Sequence, residues 1–463
     1  MLILLPEGVG VRNFIYTGFL QEKKARLWTP LNYLSSQYDL VPLPDYHGGG
    51  MVDLYKNALI RSNLKLSYSK YGNKAYLDYI RKSTRSGLRH RIKEGLIDLF
   101  SFSSQVTGIE HLWHRYLSAI RKTDYYRDCL EVLEREAPSV VFCTNQRMSS
   151  AAAPILAARD LGIPTATFIF SWDNMPKGNL SVPAEHLFVW SDYMKDEAKR
   201  YYPWVDPDKV HITGTPQFIP YTDETILWER EEFCRRYGLD SQAKLICFSG
   251  DDVTTSPYDP MYLEDTAKAV ARLNARGEER YQILFRRCPV DVSNRYDRVL
   301  DRYRELIVPV DPLWEKPEGV SEWNGMMPTE ADMILLANTV YHCETALNVG
   351  STIAHDFACM GKTSCYIKYN VPDHREWDIE KIYRYVHFES MDGLDPVYWI
   401  EDPRQMAETL SNAMDDTEQK LGDARSWLHR IVKHPLNDAN ERIWKNIETI
   451  AQGKQNACRV SDA

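Results

Sequence analysis

No stretch of this sequence carries the roughly 18 consecutive apolar residues that a membrane-spanning helix needs. Paired cysteines are also missing. The nine cysteines are odd in number, scattered from Cys129 to Cys458, and form no C-x-x-C. Several, such as Cys143, Cys247 and Cys365, sit in apolar runs, so buried free thiols in a reducing cytoplasm are expected. Metal signatures are absent: there is no H-E-x-x-H, and the twelve histidines do not cluster. The D-x-D at Asp206-Pro207-Asp208 is split by proline and reads as a turn, so neither metal nor cofactor is expected. Positive charge is in short supply, with 56 Lys and Arg against 65 Asp and Glu and a net charge of −9. That balance argues against general nucleic-acid binding. The amino-terminal MLILLPEG lacks a basic leader and a cleavage site, and is read as a first strand of a cytoplasmic protein. No exact repeat or low-complexity tract appears.

What is present is ordinary globular material. With 463 residues, 44% of them hydrophobic and 26% charged, there is enough for more than one core. Short apolar runs alternate with helical stretches. Strands are expected at Leu2–Pro6, Leu40–Leu43, Val140–Thr144, Thr165–Phe170, His186–Trp190 and Val210–Thr213, with helices such as Tyr125–Glu136 and Met148–Leu161 between them. A second series follows at Lys244–Ser249, Gln282–Arg286, Leu306–Pro309, Val340–Cys343, Ser364–Lys368 and Val397–Ile400. Strands separated by helices predict parallel sheets covered on both faces. The expected organisation is an α/β chain of two Rossmann-like domains, 1–220 and 244–420. A connector (221–243) joins them, with a helix over Glu224–Tyr237, and C-terminal helices and a tail follow (421–463).

Candidate site residues cluster at strand ends, where open α/β sheets bind ligands. Gly8 and Gly10 follow the first strand; they read as a tight turn or as a close backbone approach to a ligand. Asn145 and Arg147 open a helix after VVFCT. The loop FSWDNMPKGN brings Trp172, Asp173 and Asn174 together, as sugar hydroxyls and a general base would require, or as an Asx-turn anchored by the indole would. In the second half, Arg286 and Arg287 end a strand, either to neutralise a diphosphate or as structural ion pairs. Gly250 and Asp251 open another βα loop. The run YHCETALNVGSTIAHDFACMGKTSCYI reads strand, glycine loop, helix, strand. Its Gly350, Ser351 and Thr352 offer backbone N–H groups and hydroxyls to an anion, and Asp356 offers an acceptor for ribose hydroxyls. Elsewhere the stretch Arg81–Lys93 is rich in Lys and Arg and is followed by apolar residues; it is read as a solvated basic helix or as a contact with anionic membrane.

The order of these motifs resembles the GT-B superfamily of nucleotide-sugar glycosyltransferases. The C-terminal domains of that group often carry a Ser/Thr pair, an acid about five positions on, and Gly-Lys-Pro before the next strand. Here these are Ser351-Thr352, Asp356 and Gly361-Lys362, with Thr363 in place of the proline. ILFRRCPVD is similar to a segment whose arginine contacts donor phosphate. SWDN with a following KG, then FVWSDYMKDEA and VHITGTPQF, resembles bacterial GT-B enzymes of surface-polysaccharide assembly. The resemblance spans roughly Leu2 to Ala413. It implies a nucleotide-sugar donor in the C-terminal domain, a carbohydrate or lipid-linked acceptor in the N-terminal one, and domains facing a cleft. Asp173 is then the first candidate base, Glu7 the second and His47 the third. A non-hydrolysing nucleotide-sugar epimerase, a polyol-phosphate transferase or a silent binding scaffold would share the architecture.

Overall fold

The computed structural model describes residues 1–21, 23–80, 87–277, 279–315, 326–374, 376–416 and 418–461, and only the backbone of 454–461. The chain divides into two compact units, residues 1–216 with 431–463, and residues 217–430.

The first unit is built on seven strands: β1 (Leu2–Leu4), β2 (Arg26–Thr29), β3 (Leu40–Pro42), β4 (Val141–Cys143), β5 (Thr165–Phe168), β6 (His186–Val189) and β7 (Val210–Ile212). They lie in the order β3-β2-β1-β4-β5-β6-β7, every neighbouring pair parallel. Parallel strands need crossovers and bury both faces, so β1, β4 and β5 are buried at every position. Phe14, Phe142 and Phe168 pack edge to face beneath the sheet, at centroid distances of 5.2–5.8 Å. The C-terminal helix Ala439–Ser461 completes this unit. Trp444 stacks on Phe19 at 4.9 Å, and Arg442 Nε donates to the Thr213 carbonyl at 2.8 Å.

The second unit holds β8 (Lys244–Ser249), β9 (Tyr281–Arg286), β10 (Ile307–Pro309), β11 (Cys343–Asn348), β12 (Ser364–Ile367) and β13 (Tyr398–Ile400). Their order is β10-β9-β8-β11-β12-β13, again parallel throughout. Residues 221–243 pack here: Trp228 N donates to Asn338 Oδ1 at 2.7 Å, and Arg230 donates to the carbonyls of Ser241 and His342. The helix Gln419–Ile431 brings Trp427 against His355, centroids 4.0 Å apart.

Three local expectations change. Arg26–Thr29 is a strand that its charged start concealed. The connector helix is shorter, at Arg230–Tyr237, after a single 3-10 turn at Glu224–Ile226. Val340–Cys343 is not a strand: a helix runs Glu330–His342 and the strand begins only at Cys343. Thr329 caps that helix by accepting from Asp332 N at 3.1 Å. At its other end Lys362 donates to the Val340 and Cys343 carbonyls at 3.0 and 2.7 Å, so both ends are satisfied.

Both sheets reverse their order once, between β1 and β4 and between β8 and β11. Such reversals open a crevice at the carboxyl ends of the strands. Each unit therefore presents its own candidate site at that position.

Candidate functional site

In the first unit, Glu7 lies just past β1 and is buried. Its carboxylate accepts from Val9 N at 2.7 Å, Gly10 N at 3.1 Å and Asn145 Nδ2 at 3.2 Å. Gly8 precedes the short helix Val9–Phe14, whose first free N–H groups the chain thus satisfies with its own acid. Burial pushes the Glu7 carboxyl above the usual range, against those hydrogen bonds and the nearby Arg147 guanidinium. Asn145 Oδ1 accepts from Arg147 N at 3.0 Å, shaping the turn into the helix Ser149–Asp160.

The next residue links a third loop. Gln146 Nε2 donates to Asn174 Oδ1 at 3.1 Å, and Gln146 Oε1 accepts from Phe170 N at 2.8 Å. Asn174 Nδ2 then donates to Asp173 Oδ1 at 2.8 Å, and Lys177 pairs with Asp173 Oδ2. Trp172 and Asn174 are buried, whereas Asp173 keeps part of its surface open to solvent. The structure thus gathers Glu7, Gly8, Gly10, Asn145, Trp172, Asp173 and Asn174 at the carboxyl edge of one sheet, with the Arg147 backbone among them. His47 lies outside this network, exposed in the loop after β3. Lys177 is part of the loop motif that the sequence singles out, whereas Gln146 stands inside a singled-out motif without a role read for it.

In the second unit the crevice is formed by Gly250–Asp252 after β8 and Val349–Thr352 after β11. Gly350 has φ +69°, and a Cβ there would stand 3.0 Å from Phe388 Cζ and 3.1 Å from Ile382 Cγ2. Gly250 packs under the Tyr296 hydroxyl, which a Cβ would meet at 2.8 Å. Ser351 N donates to Asn348 Oδ1 at 2.7 Å, and the Ser351 carbonyl accepts from Tyr366 Oη at 2.9 Å. Ser351 and Thr352 stay half-buried, while Asp356 is buried in the first turn of the helix Ile353–Cys359. The cap position falls on Thr352 rather than Ser351.

Both arginines of ILFRR are engaged. Arg286 is buried and donates through Nη2 to both oxygens of Asp332, at 2.8 and 2.9 Å. Asp332 also accepts from Leu313 N and Trp314 Nε1 at 2.8 and 2.6 Å. Arg287 Nε pairs with Asp311 Oδ1 at 2.8 Å.

Behind Gly250 lies a charged cluster that no sequence pattern announced. Asp251 N donates to Asp259 Oδ2 at 2.5 Å, Tyr296 Oη donates to the same oxygen at 3.2 Å, and Arg295 Nε pairs with Asp291 at 2.6 Å. Burial raises the Asp259 carboxyl to about 6 and raises Asp251 well above its ordinary value, with the Asp259 and Asp252 charges adding to the latter. Asp206 Oδ1 accepts from Asp208 N at 3.0 Å, the geometry of a turn. An apolar cavity of about 180 Å³ is lined by Leu59, Ile109, Glu110, Trp113, His114 and Trp204, none of them a residue of these loops.

No family model matches the sequence, and no curated protein matches it. Solved structures do match. The S. aureus MnaA–UDP co-structure superposes over 96% of this chain and 95% of its own, with TM-score 0.53 and 11% identity. A UDP-N-acetylglucosamine 2-epimerase covers 96% and 94%, with TM-score 0.52 and 11% identity. A glycosyltransferase from Rickettsia africae ESF-5 covers 97% and 97%, with TM-score 0.51 and 10% identity. Two parallel sheets with Rossmann strand order, together with this likeness along nearly the whole chain, establish that the protein has the GT-B fold.

Proposed function

We propose that this chain is a nucleotide-sugar enzyme that transfers a sugar from its donor to a carbohydrate or lipid-linked acceptor. The observation that carries the reading is the pair of order reversals, each edged by polar loop residues, Glu7, Asn145 and Asp173 in one unit and Ser351, Thr352 and Asp356 in the other. In this reading the second unit takes the donor. The backbone N–H groups of Gly350 and Thr352 and the hydroxyls of Ser351 and Thr352 meet the diphosphate, the Ser351 N–H being held by Asn348, and Asp356 accepts from the ribose. The first unit takes the acceptor beside Trp172, with Asp173 as base, working without metal or cofactor and within surface-polysaccharide or glycan synthesis. Arg286 is engaged by Asp332, so in this reading the leaving diphosphate is met chiefly by the loop after β11.

A second reading is a nucleotide-sugar 2-epimerase. It is favoured by the fold neighbours, one of which is named for UDP-N-acetylglucosamine and another of which holds UDP. A single assay separates the two. The purified chain is incubated with UDP-, GDP-, CDP-, CMP- and dTDP-sugars, with and without glycan acceptors and EDTA. Acceptor-dependent release of free nucleotide that survives EDTA supports transfer. A C2 epimer without net nucleotide release supports epimerisation and rejects transfer.

A further inference from the structure

The helix Leu88–Thr107 is amphipathic in the wrong sense for a core helix. Its buried positions are Ile97, Ser101 and Ser104, and the Ser104 hydroxyl meets Ser62 Oγ at 2.6 Å on the helix Gly50–Tyr71. Ile97 and Phe100 pack on Leu54, Ala58 and Leu112, but five other large apolar residues face solvent: Leu88 is 74% exposed, Ile92 54%, Leu99 58%, Phe102 64% and Val106 80%. At about 100° per residue these positions fall within roughly a quarter of the circumference, and Leu96 borders them. The stripe is continuous over roughly 27 Å at 1.5 Å per residue. A helix with polar residues inward and a stripe of large apolar residues outward does not lower the free energy of an isolated domain in water.

The charges on the same helix point to what covers it. Glu94 and Asp98 are turned to Arg61, at 2.7 and 3.0 Å, and Lys65 adds to Asp98 at 3.3 Å. Among the described residues Arg89, Arg91 and Lys93 have no carboxylate partner, and the first turn contains no acid. Two cations, Arg89 and Arg91, at the positive end of a helix dipole are unfavourable for the helix itself. Arg89 and Arg91 are exposed and border the apolar stripe, from which their long side chains can reach outward, whereas Lys93 is half-buried toward Lys56 of the neighbouring helix. The basic residues at 81–85 precede them in sequence but lie outside the described residues.

We propose that the exposed face of the helix Leu88–Thr107 docks on an anionic bilayer, its apolar stripe entering the interface while Arg89 and Arg91 meet the lipid headgroups. This inference is independent of which sugar chemistry the protein performs. The test uses the full chain with phosphatidylcholine vesicles made with and without phosphatidylglycerol. Two variants are compared, Leu99→Ser with Phe102→Ser, and Arg89→Glu with Arg91→Glu; all of these residues are exposed, so Tm should stay near wild type. The expected result is sedimentation with the anionic vesicles only, weakened about tenfold or more in either variant. The inference is overturned if the wild type stays in the supernatant, or if the variants sediment as it does. It is equally overturned if the wild type is a dimer that Leu99→Ser with Phe102→Ser dissociates while vesicle binding is absent, since the stripe would then be covered by a second copy.

Discussion

Asn145 Nδ2 donates to Glu7 Oε1 at 3.2 Å, joining the loops after β4 and β1 at the point where the first sheet reverses its strand order. The same carboxylate receives two backbone N–H groups, so its role is set by three donors it cannot lose cheaply.

Glu7→Gln keeps the size but leaves one carbonyl oxygen where two oxygens served three donors. The variant should lose about 1–3 kcal/mol, the cost of a buried donor left unmatched. Thermal unfolding checks this, and nucleotide affinity measured alongside should stay near wild type. A variant as stable as the wild type would show that the network relaxes without cost.

Asp173→Asn retains a hydrogen-bond acceptor for Asn174 but removes the charge that Lys177 neutralises. If Asp173 is the base, turnover should fall by about two or more orders of magnitude with donor affinity kept. Unchanged turnover would make the Asp173–Lys177 pair a brace for its own loop and shift the search to Glu7 and His47.

Arg286→Met strands Asp332, a buried acid among three donors, and should destabilise by about 3–5 kcal/mol. The double variant Arg286→Met with Asp332→Leu should recover part of that loss, because neither charge is then left alone. Unfolding free energies of the two singles and the double close the cycle. Strict additivity would contradict the pairing.

Protonation of the Asp251–Asp259 pair makes stability depend on pH. Asp259 titrates near 6 in the folded chain, against an ordinary aspartate value near 4 when unfolded. The folded state therefore binds more protons between those values. The contribution is fully present below the unfolded value and is lost as pH rises through the folded one. Tm should accordingly fall from about pH 4 to about pH 6, as pH rises from the unfolded value through the folded one. Asp251→Asn removes one charge from the pair facing Arg295 and should flatten that fall; an unchanged slope would place the dependence elsewhere.

Much of the architecture was readable from local pattern. Val140–Cys143 and Leu245–Phe248 are apolar at every position, as a strand covered on both faces asks. The turn at Asp206–Asp208 and the loop at Gly350 were likewise written in residues with marked backbone preferences, Pro207 fixing its φ and Gly350 free to take a positive one. Arg26–Thr29 escaped because a three-residue buried run after a charge has no period to detect, and its strandness comes from Leu2–Leu4 and Leu40–Pro42 on either side. The strand expected at Val340–Cys343 failed because a continuous apolar run suits a buried helix as well as a strand. The site residues of the first unit were legible as loop motifs. Their linkage through Gln146 was not, since an amide's partners lie wherever the fold brings them.

From the sequence alone come the alternation of strands and helices, the two α/β series, and the strand ends where polar groups and glycines collect. Each of these depends on neighbours within a few residues, and periodicity records such neighbours directly. Only the tertiary structure decided which charges meet. Glu7 and Asn145 are 138 positions apart, and Arg286 and Asp332 are 46 apart. Tertiary structure likewise turned the apolar stripe of Leu88–Thr107 outward and buried its serines. Strand order and helix placement set those pairings, and they arise from packing over the whole chain, where no local pattern can hold them.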